Sequence, residues 1–160
     1  MALLTNFPLL AALFGVFMAQ FLKIPITYFE TKQLKWALLI STGGMPSSHS
    51  ASVTALATAV GLQEGFGSSL FAIACMFAII VMYDAKGIRW HAGEQAAVLN
   101  KLVSDFREHV KLSKMFQKSG AKEKQQQLKE LLGHRPSEVF VGAVLGIAQT
   151  LFIYWLFFVL

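Results

Sequence analysis

Residues 43–50 have the sequence Gly-Gly-Met-Pro-Ser-Ser-His-Ser, and a run of mostly small residues, 51–59, follows them directly. The two glycines and the proline indicate a turn, and Pro46 is suited to the first position of a helix, where its missing N–H would have no partner. The N–H groups of a first helical turn, with the positive end of the helix dipole, can bind an anion. His49, one turn inside, places an acid or base beside that anion. For this stretch alone, an ordinary helix cap is the alternative.

The composition indicates an integral membrane protein. Of 160 residues, 55% are apolar and only 14% are charged, whereas a soluble domain has about 25% charged residues. Residues 68–83 and 139–160 contain no charged side chain, as is typical of membrane-spanning helices. The length predicts a single domain, 1–160. Cys75, the one cysteine, excludes an internal disulfide and a cysteine-based metal site.

The pattern of apolar runs predicts an all-α membrane bundle with about four spans: 3–22, 47–62, 68–83 and 137–160. Between the first two, residues 26–42 contain an apolar piece too short to cross a bilayer, which predicts a re-entrant or interfacial element. Residues 90–135 form a polar insertion that begins with an amphipathic helix, either at the membrane interface or against the bundle. Gly142 and Gly146, four residues apart, predict a close-packing face through which a homo-oligomer can form.

The alternation of the spans brings four polar groups to one end of the bundle: Lys23, the turn 46–49, Arg89 and His134. All fourteen Lys and Arg residues also fall at this end, three in 23–35 and eleven in 86–135. The positive-inside rule therefore predicts a multi-pass protein of the cell (inner) membrane, with the polar insertion and the site on the cytoplasmic face.

The last span begins with a histidine and a carboxylate at helical spacing. Four residues separate His134 from Glu138, so the carboxylate can hold one imidazole nitrogen, fix the tautomer and leave the other nitrogen as a nucleophile. His49 is suited to protonate a leaving oxygen. For His134 and Glu138 alone, an ion pair at a helix start is the alternative.

Cationic and hydroxyl groups nearby are suited to hold a phosphoryl group. Lys23 and Arg89 supply positive charge, and the turn with Ser47 and Ser48 supplies N–H and hydroxyl donors. A lysine at the end of a span can also be a snorkelling residue. Together with the two histidines, these groups predict phosphoester hydrolysis without a metal or cofactor.

Three separated motifs resemble a known superfamily. Pro46-Ser47-Ser48-His49 is similar to the Pro-Ser-Gly-His motif of the type 2 phosphatidic acid phosphatase superfamily, which includes vanadium haloperoxidases. Residues 134–142 resemble its His-x-x-x-Asp-Val-x-x-Gly segment. More closely, the chain resembles the divergent bacterial and plastid branch of short membrane proteins, in 20–23, 43–51, 81–89 and 133–139, and the match runs through about residues 19–147.

The resemblance implies a role for five residues. It implies that His134 is the nucleophile, Glu138 its partner, His49 the acid/base, and Lys23 and Arg89 the phosphate clamps. The chain departs from the superfamily pattern in two ways that concern arginine. Glu30 stands where the first motif normally has an arginine, and Arg89 precedes His134 by 45 residues instead of a few.

The sequence predicts a phosphatase that hydrolyses a lipid phosphate or pyrophosphate, such as an isoprenoid or glycerolipid phosphate, through a phosphohistidine. A lipid substrate is expected because a site in the membrane meets headgroups at that depth. A non-catalytic lipid-phosphate-binding protein, acting in assembly or transport, is the alternative, and a structural scaffold is the third. The expected partners are the bilayer and the lipid phosphate, not nucleic acid. His91 and His109, in the polar insertion, are expected to contact solvent rather than substrate.

Overall fold

The computed structural model of the chain describes the backbone of residues 5–34, 36, 39, 43–112 and 134–160, without the side chains of 30, 88–90, 107 and 109–112. Within these ranges every regular element is a helix, and the chain is an all-α polytopic membrane bundle as the sequence predicts. The helices are α1 (Phe7–Thr31), α2 (Ser48–Glu64), α3 (Ser69–Lys86), α4 (Ile88–Leu112) and α5 (Pro136–Phe158). Most of the predicted re-entrant piece after residue 34 and the insertion from 113 to 133 lie outside the described residues.

Helix α1 is longer than the first predicted span. It begins after Asn6, whose side-chain oxygen accepts the N–H of Leu9 at 3.0 Å, and it continues through Pro25 to Thr31. A proline removes one helical hydrogen bond, and neighbouring helices in a membrane bundle make that loss tolerable. The predicted end at residue 22 is therefore wrong, and residues 26–31 belong to α1. Lys23 consequently lies inside a helix.

Three segments of the described chain are long and apolar enough to cross a membrane: one in α1, one in α3 continuing into α4, and one in α5. Helix α2 has 17 residues and is not among them. It packs against α1, α3 and α5, and its Ala51, Ala55 and Ala59 have no exposed surface. Because α2 is covered by other helices, its surface meets protein instead of lipid, as its small side chains indicate.

Two glycines let α5 approach the backbone of α2. A Cβ atom on Gly142 would lie 3.1 Å from the Ser47 nitrogen and would collide with the Ser47 carbonyl oxygen. A Cβ atom on Gly146 would collide with the Ala51 carbonyl oxygen and with the Thr54 hydroxyl. The close-packing face is thus used within one chain. The predicted homo-oligomer contact through these glycines is wrong for that reason, whereas oligomerisation itself stays a prediction.

Polar side chains inside the bundle join its helices. The Thr54 hydroxyl of α2 contacts the Ala143 carbonyl oxygen of α5 at 3.1 Å, and the Gln149 amide of α5 donates to the Ala11 carbonyl of α1 at 3.3 Å. Gln149 is only 9% exposed. Hydrogen bonds of this kind satisfy polar groups that lipid cannot, and they link α1, α2 and α5 across the core.

Helix α4 follows α3 directly after Gly87 and, among the described helices, contacts only α3. Its apolar side chains Val98, Leu102 and Phe106 are between 62% and 67% exposed. The predicted amphipathic helix is present, and besides its exposed apolar side chains it has a buried residue, Ala96, at 7% exposure. Its location at the membrane interface stays a prediction.

The contact between α2 and α5 predicts a strong effect of one added methyl group. We expect Gly146→Ala to destabilise the protein by about 1–3 kcal/mol, because the methyl group would overpack against a backbone carbonyl that cannot move alone. Gly67→Ala is the matched control, since a Cβ atom there meets nothing within 4 Å. Thermal unfolding in detergent measures both. Equal unfolding temperatures for the two variants would contradict the close approach.

Candidate functional site

The start of α5 is fixed to the end of α3 by a backbone hydrogen bond. The His134 N–H donates to the Ala85 carbonyl oxygen at 2.9 Å. His134 is 1% exposed, which makes it one of the largest completely buried side chains of the described chain. This bond sets the position of the imidazole just before the first turn of α5.

Glu138 determines the orientation of the His134 ring. Its Oε2 atom lies 3.0 Å from Nδ1 of His134 and also accepts the N–H of Arg135 at 3.2 Å. A glutamate at the third helical position commonly reaches back in this way to the residue that caps the helix. With Nδ1 held by the carboxylate, the other ring nitrogen faces the interior. His134 Nε2 is buried and has no hydrogen-bond partner among the described residues.

His49 lies next to His134. The two ring centroids are 5.7 Å apart and the ring planes are inclined at 66°. His49 belongs to the first turn of α2, and His134 stands 85 residues later in the chain. The structure therefore brings together the two histidines that the sequence assigns to one site, with an orienting carboxylate on one of them.

Ser47 joins α2 to α5. It caps α2, because its hydroxyl oxygen accepts the N–H of Ser50 at 3.3 Å, and its own N–H donates to the Glu138 carbonyl oxygen at 3.0 Å. The expectation that Pro46 occupies the first helical position is wrong, since the helix begins at Ser48. Two donors of the predicted anion site, the N–H groups of Ser47 and Ser50, are thus already hydrogen-bonded within the protein. Binding of substrate by Ser47 and Ser48 stays a prediction.

Lys23 is completely buried at the same end of the bundle. It lies within electrostatic reach of the Glu138 carboxylate. Its Cδ atom is 3.9 Å from the place where a Cβ atom of Gly44 would lie, so α1 and the turn before α2 are close together. A lysine within a membrane helix usually faces the bundle interior rather than lipid, and such a lysine commonly marks a functional position. Lys23 therefore adds a positive charge beside the two histidines.

The side chain of Arg89 lies outside the described residues, and so does that of Glu30. The backbone of Arg89 belongs to the first turn of α4, one helical turn after Ala85. Because the Ala85 carbonyl oxygen accepts the His134 N–H, the backbone of Arg89 lies at the end of the bundle that holds His134, as the sequence predicts. Its contact with a phosphate stays a prediction.

Backbone groups are the part of this site that the sequence does not reveal. The Ala85 carbonyl and the Ser47 N–H position His134 and Glu138, and neither depends on a distinctive side chain. The sequence does single out Gln149, which joins α5 to α1 in the core, because a polar residue within an apolar run is energetically costly in a membrane. Among the described ranges, no three His, Cys, Asp or Glu side chains are grouped as metal ligands.

The arrangement is suited to group transfer to a histidine. One imidazole nitrogen is held by a carboxylate, and the other has no hydrogen-bond partner in the described part of the chain. A second imidazole and an ammonium group are buried at the same end of the bundle. Nε2 of His134 is shielded from solvent. A phosphate reaches this atom only if the surrounding side chains move apart.

Comparisons with known proteins agree with these motifs. A family profile described as "Divergent PAP2 family" matches residues 4–149. The "Uncharacterized membrane protein YuiD" of Bacillus subtilis (strain 168) is 56% identical over 157 residues, which cover 98% of this chain and 99% of that protein. No solved structure is significantly similar to the chain.

The contact between His134 and Glu138 predicts the tautomer of the histidine. We expect the neutral His134 ring to carry its proton on Nδ1, because the Glu138 carboxylate accepts from that atom. Nitrogen NMR of protein labelled at histidine measures the proton position on each ring nitrogen. Glu138→Ala should remove the preference, whereas Glu94→Ala, which removes the 3.1 Å partner of His91, should leave His134 unchanged. A neutral His134 protonated on Nε2 in the unmodified protein would contradict the geometry.

Proposed function

The chain belongs to the divergent PAP2 family, and from this premise we propose that it hydrolyses a lipid phosphate or diphosphate through a phosphohistidine intermediate. The observation that carries the proposal is the geometry of the His134 imidazole. Glu138 holds its Nδ1 at 3.0 Å, its Nε2 has no hydrogen-bond partner among the residues that the structure describes, and His49 lies beside the ring. A histidine with one nitrogen fixed and the other available is an activated nucleophile.

In the first step, Nε2 of His134 attacks the phosphorus atom and the bond from phosphorus to the leaving oxygen breaks. His49 gives its proton to that oxygen, so the lipid leaves as a neutral hydroxyl or as a lipid phosphate. The imidazole that receives the phosphoryl group becomes positively charged, and the Glu138 carboxylate stabilises that charge through Nδ1–H. Lys23 and Arg89 balance the negative charge of the phosphoryl oxygens.

In the second step, a water molecule attacks the phosphorus atom of the phosphohistidine. His49, now neutral, takes a proton from that water, and the bond between phosphorus and Nε2 breaks. Inorganic phosphate leaves, and both histidines return to their starting protonation states. No metal enters either step of this proposal, since the nucleophile, the acid and the cations all come from the chain.

A membrane lipid is the proposed substrate because the site lies at one end of a membrane-spanning bundle. Lys23 belongs to α1, Glu138 to α5, and both helices contain a segment able to cross the bilayer. Phosphate groups of lipids are located at the depth where such helices end. A water-soluble phosphate ester would gain nothing from this placement.

The proposed location is the inner membrane, with the site on the cytoplasmic side. This orientation rests on the positive-inside rule. All fourteen Lys and Arg residues occur in the sequence segments 23–35 and 86–135, and the alternation of the spans assigns both segments to the end that holds His134. The opposite end contains Glu64, the exposed last residue of α2.

The mechanism predicts different losses for two histidine variants. Purified protein in detergent should release phosphate from a lipid phosphate. His134→Ala should lose release to the background rate, since no other group replaces the nucleophile. His49→Ala should lose about 10²–10⁴-fold, which is typical of a missing general acid. Radiolabelled substrate should leave an acid-labile label on the unmodified protein and none on His134→Ala.

His109→Ala is the matched control for these variants. Its backbone lies roughly 30 Å along α4 from the start of that helix, so its rate should stay within twofold of the unmodified protein. Equal rates in all four proteins would eliminate the enzymatic proposal. Lipid-phosphate binding that persists without release by any variant would replace the enzyme with the non-catalytic binding protein.

The orientation predicts which cysteines are labelled from each side of the membrane. In a Cys75→Ala background, Ser119→Cys in the polar insertion should react only with reagent supplied from the cytoplasmic side, and Glu64→Cys only with reagent supplied from the other side. Right-side-out and inverted vesicles with an impermeant maleimide measure this. Labelling of both positions from one side would contradict the proposed topology.

A further inference from the structure

The hydroxyl of Thr54 has a contact that two other threonines of the bundle lack. Its oxygen lies 2.8 Å from the Ser50 carbonyl oxygen of its own helix and 3.1 Å from the Ala143 carbonyl oxygen of α5. Thr58 and Thr150 each donate to the carbonyl four residues earlier in their own helix, at 2.7 and 2.8 Å. Of these three hydroxyls, that of Thr54 is therefore the one that joins two helices.

This hydroxyl is enclosed between α2 and α5. Thr54 is 7% exposed, and a Cβ atom on Gly146 would collide with its hydroxyl oxygen. A hydroxyl has one proton to donate, and inside a membrane bundle no water replaces a lost partner. The Thr54 proton is thus shared between a carbonyl of α2 and a carbonyl of α5, so its hydrogen bonding depends on how the two helices are aligned.

The glycines of α5 permit this close packing, but they do not fix the alignment of the two helices. Gly142 and Gly146 have no side chain, which lets the backbones approach and leaves no group that resists sliding or rotation. Hydrogen bonds depend on both distance and direction. The alignment of α5 against α2 is therefore determined by the polar contacts between them.

Two polar contacts lie along one side of α2. The Ser47 N–H donates to the Glu138 carbonyl oxygen at 3.0 Å, and Thr54 contacts Ala143. Ser47 and Thr54 are seven residues apart, which is about two helical turns, so both face α5. The first contact alone would allow α2 to rotate against α5, and the second prevents it. His49 lies between the two contacts, so the rotation of α2 determines where its ring points.

From these contacts we infer that Thr54 is a positioning residue, whose hydroxyl fixes the rotation of α2 against α5 and thereby holds His49 against His134. This inference rests on the proposed function and deepens it. The Ala85 carbonyl of α3 holds the His134 backbone at 2.9 Å, so a rotation of α2 moves the His49 ring while His134 stays in place. The 5.7 Å between the two ring centroids then changes, and proton transfer by His49 depends on that geometry.

The kinetic test compares Thr54→Ala with Thr58→Ala, which removes the same atoms from a threonine one turn further along α2. Thr54→Ala should lower kcat for a lipid phosphate at least about fivefold, since small displacements of a reacting group are costly. KM should stay within about twofold, because Thr54 acts in the reaction without touching the substrate. Thr54→Ser restores the hydroxyl alone and should restore kcat, whereas Thr58→Ala should retain it. Thr54→Val is a second variant without the hydroxyl.

A measurement of the distance between the two rings accompanies the kinetics and does not depend on activity. Solid-state NMR of histidine-labelled protein in lipid bilayers should show a cross-peak between the His49 and His134 rings, which is assigned by its absence in His49→Ala. Thr54→Ala should lose most of this cross-peak. Thr54→Ser and Thr58→Ala should retain it.

The two measurements separate the inference from the proposed function. If no protein releases phosphate while the cross-peak depends on the Thr54 hydroxyl, the proposed function is wrong and the positioning role stands. If phosphate is released but Thr54→Ala equals Thr58→Ala in kcat and cross-peak, the inference is wrong and the proposed function stands. A loss of kcat that Thr54→Ser does not restore, or a change in KM alone, also overturns the inference.

Discussion

The approach of α5 to the backbone of α2 is the constraint on which this end of the protein depends. It requires glycine at positions 142 and 146, where any side chain would meet backbone atoms of α2. Only at this separation can the Ser47 N–H reach the Glu138 carbonyl oxygen. That hydrogen bond joins the first turns of the two helices, and each of these turns carries one side of the site. The distance between His49 and His134 is therefore determined by the packing of α2 against α5 rather than by the histidines themselves.

Burial gives the polar groups at this end their importance. Lys23 and His134 are almost completely buried. Removing such groups from water costs free energy unless polar or charged groups of the protein take the place of the water. Glu138 provides several of these interactions. Its carboxylate accepts hydrogen bonds from Nδ1 of His134 and from the Arg135 N–H, and it lies within electrostatic reach of Lys23. A single carboxylate thus orients the ring, caps the helix and balances a positive charge. The resulting set of groups is held in place before any ligand arrives, as electrostatic stabilisation of a reacting group requires.

Local spacing was sufficient to predict some of this arrangement. The four-residue interval between His134 and Glu138 implies contact within one helical turn, and the alternation of apolar runs implies that Lys23, His49 and His134 share one end of the bundle. Interactions between helices account for what the sequence did not reveal. Helix α1 continues past Pro25 because neighbouring helices support it, and α2 is short and rich in alanine because protein surrounds it. The composition of α2 does indicate a close-packing helix, whereas the continuation of α1 past a proline depends on its neighbours. Backbone contacts such as that of Ala85 leave no trace in a motif.

The central position of α2 has a consequence for how the protein is made. Its alanines, serines and threonines give it little affinity for hydrocarbon, so the insertion machinery would not retain it as an independent segment while the ribosome is still adding residues. Its companions are synthesised on both sides of it, and α5, which closes the gap over Ala51 and Thr54, is made after all the other described helices. The nascent chain must therefore hold α2 without its full set of contacts until α5 has been synthesised, and a chain terminated before Gly142 would leave Ala51 and Thr54 uncovered.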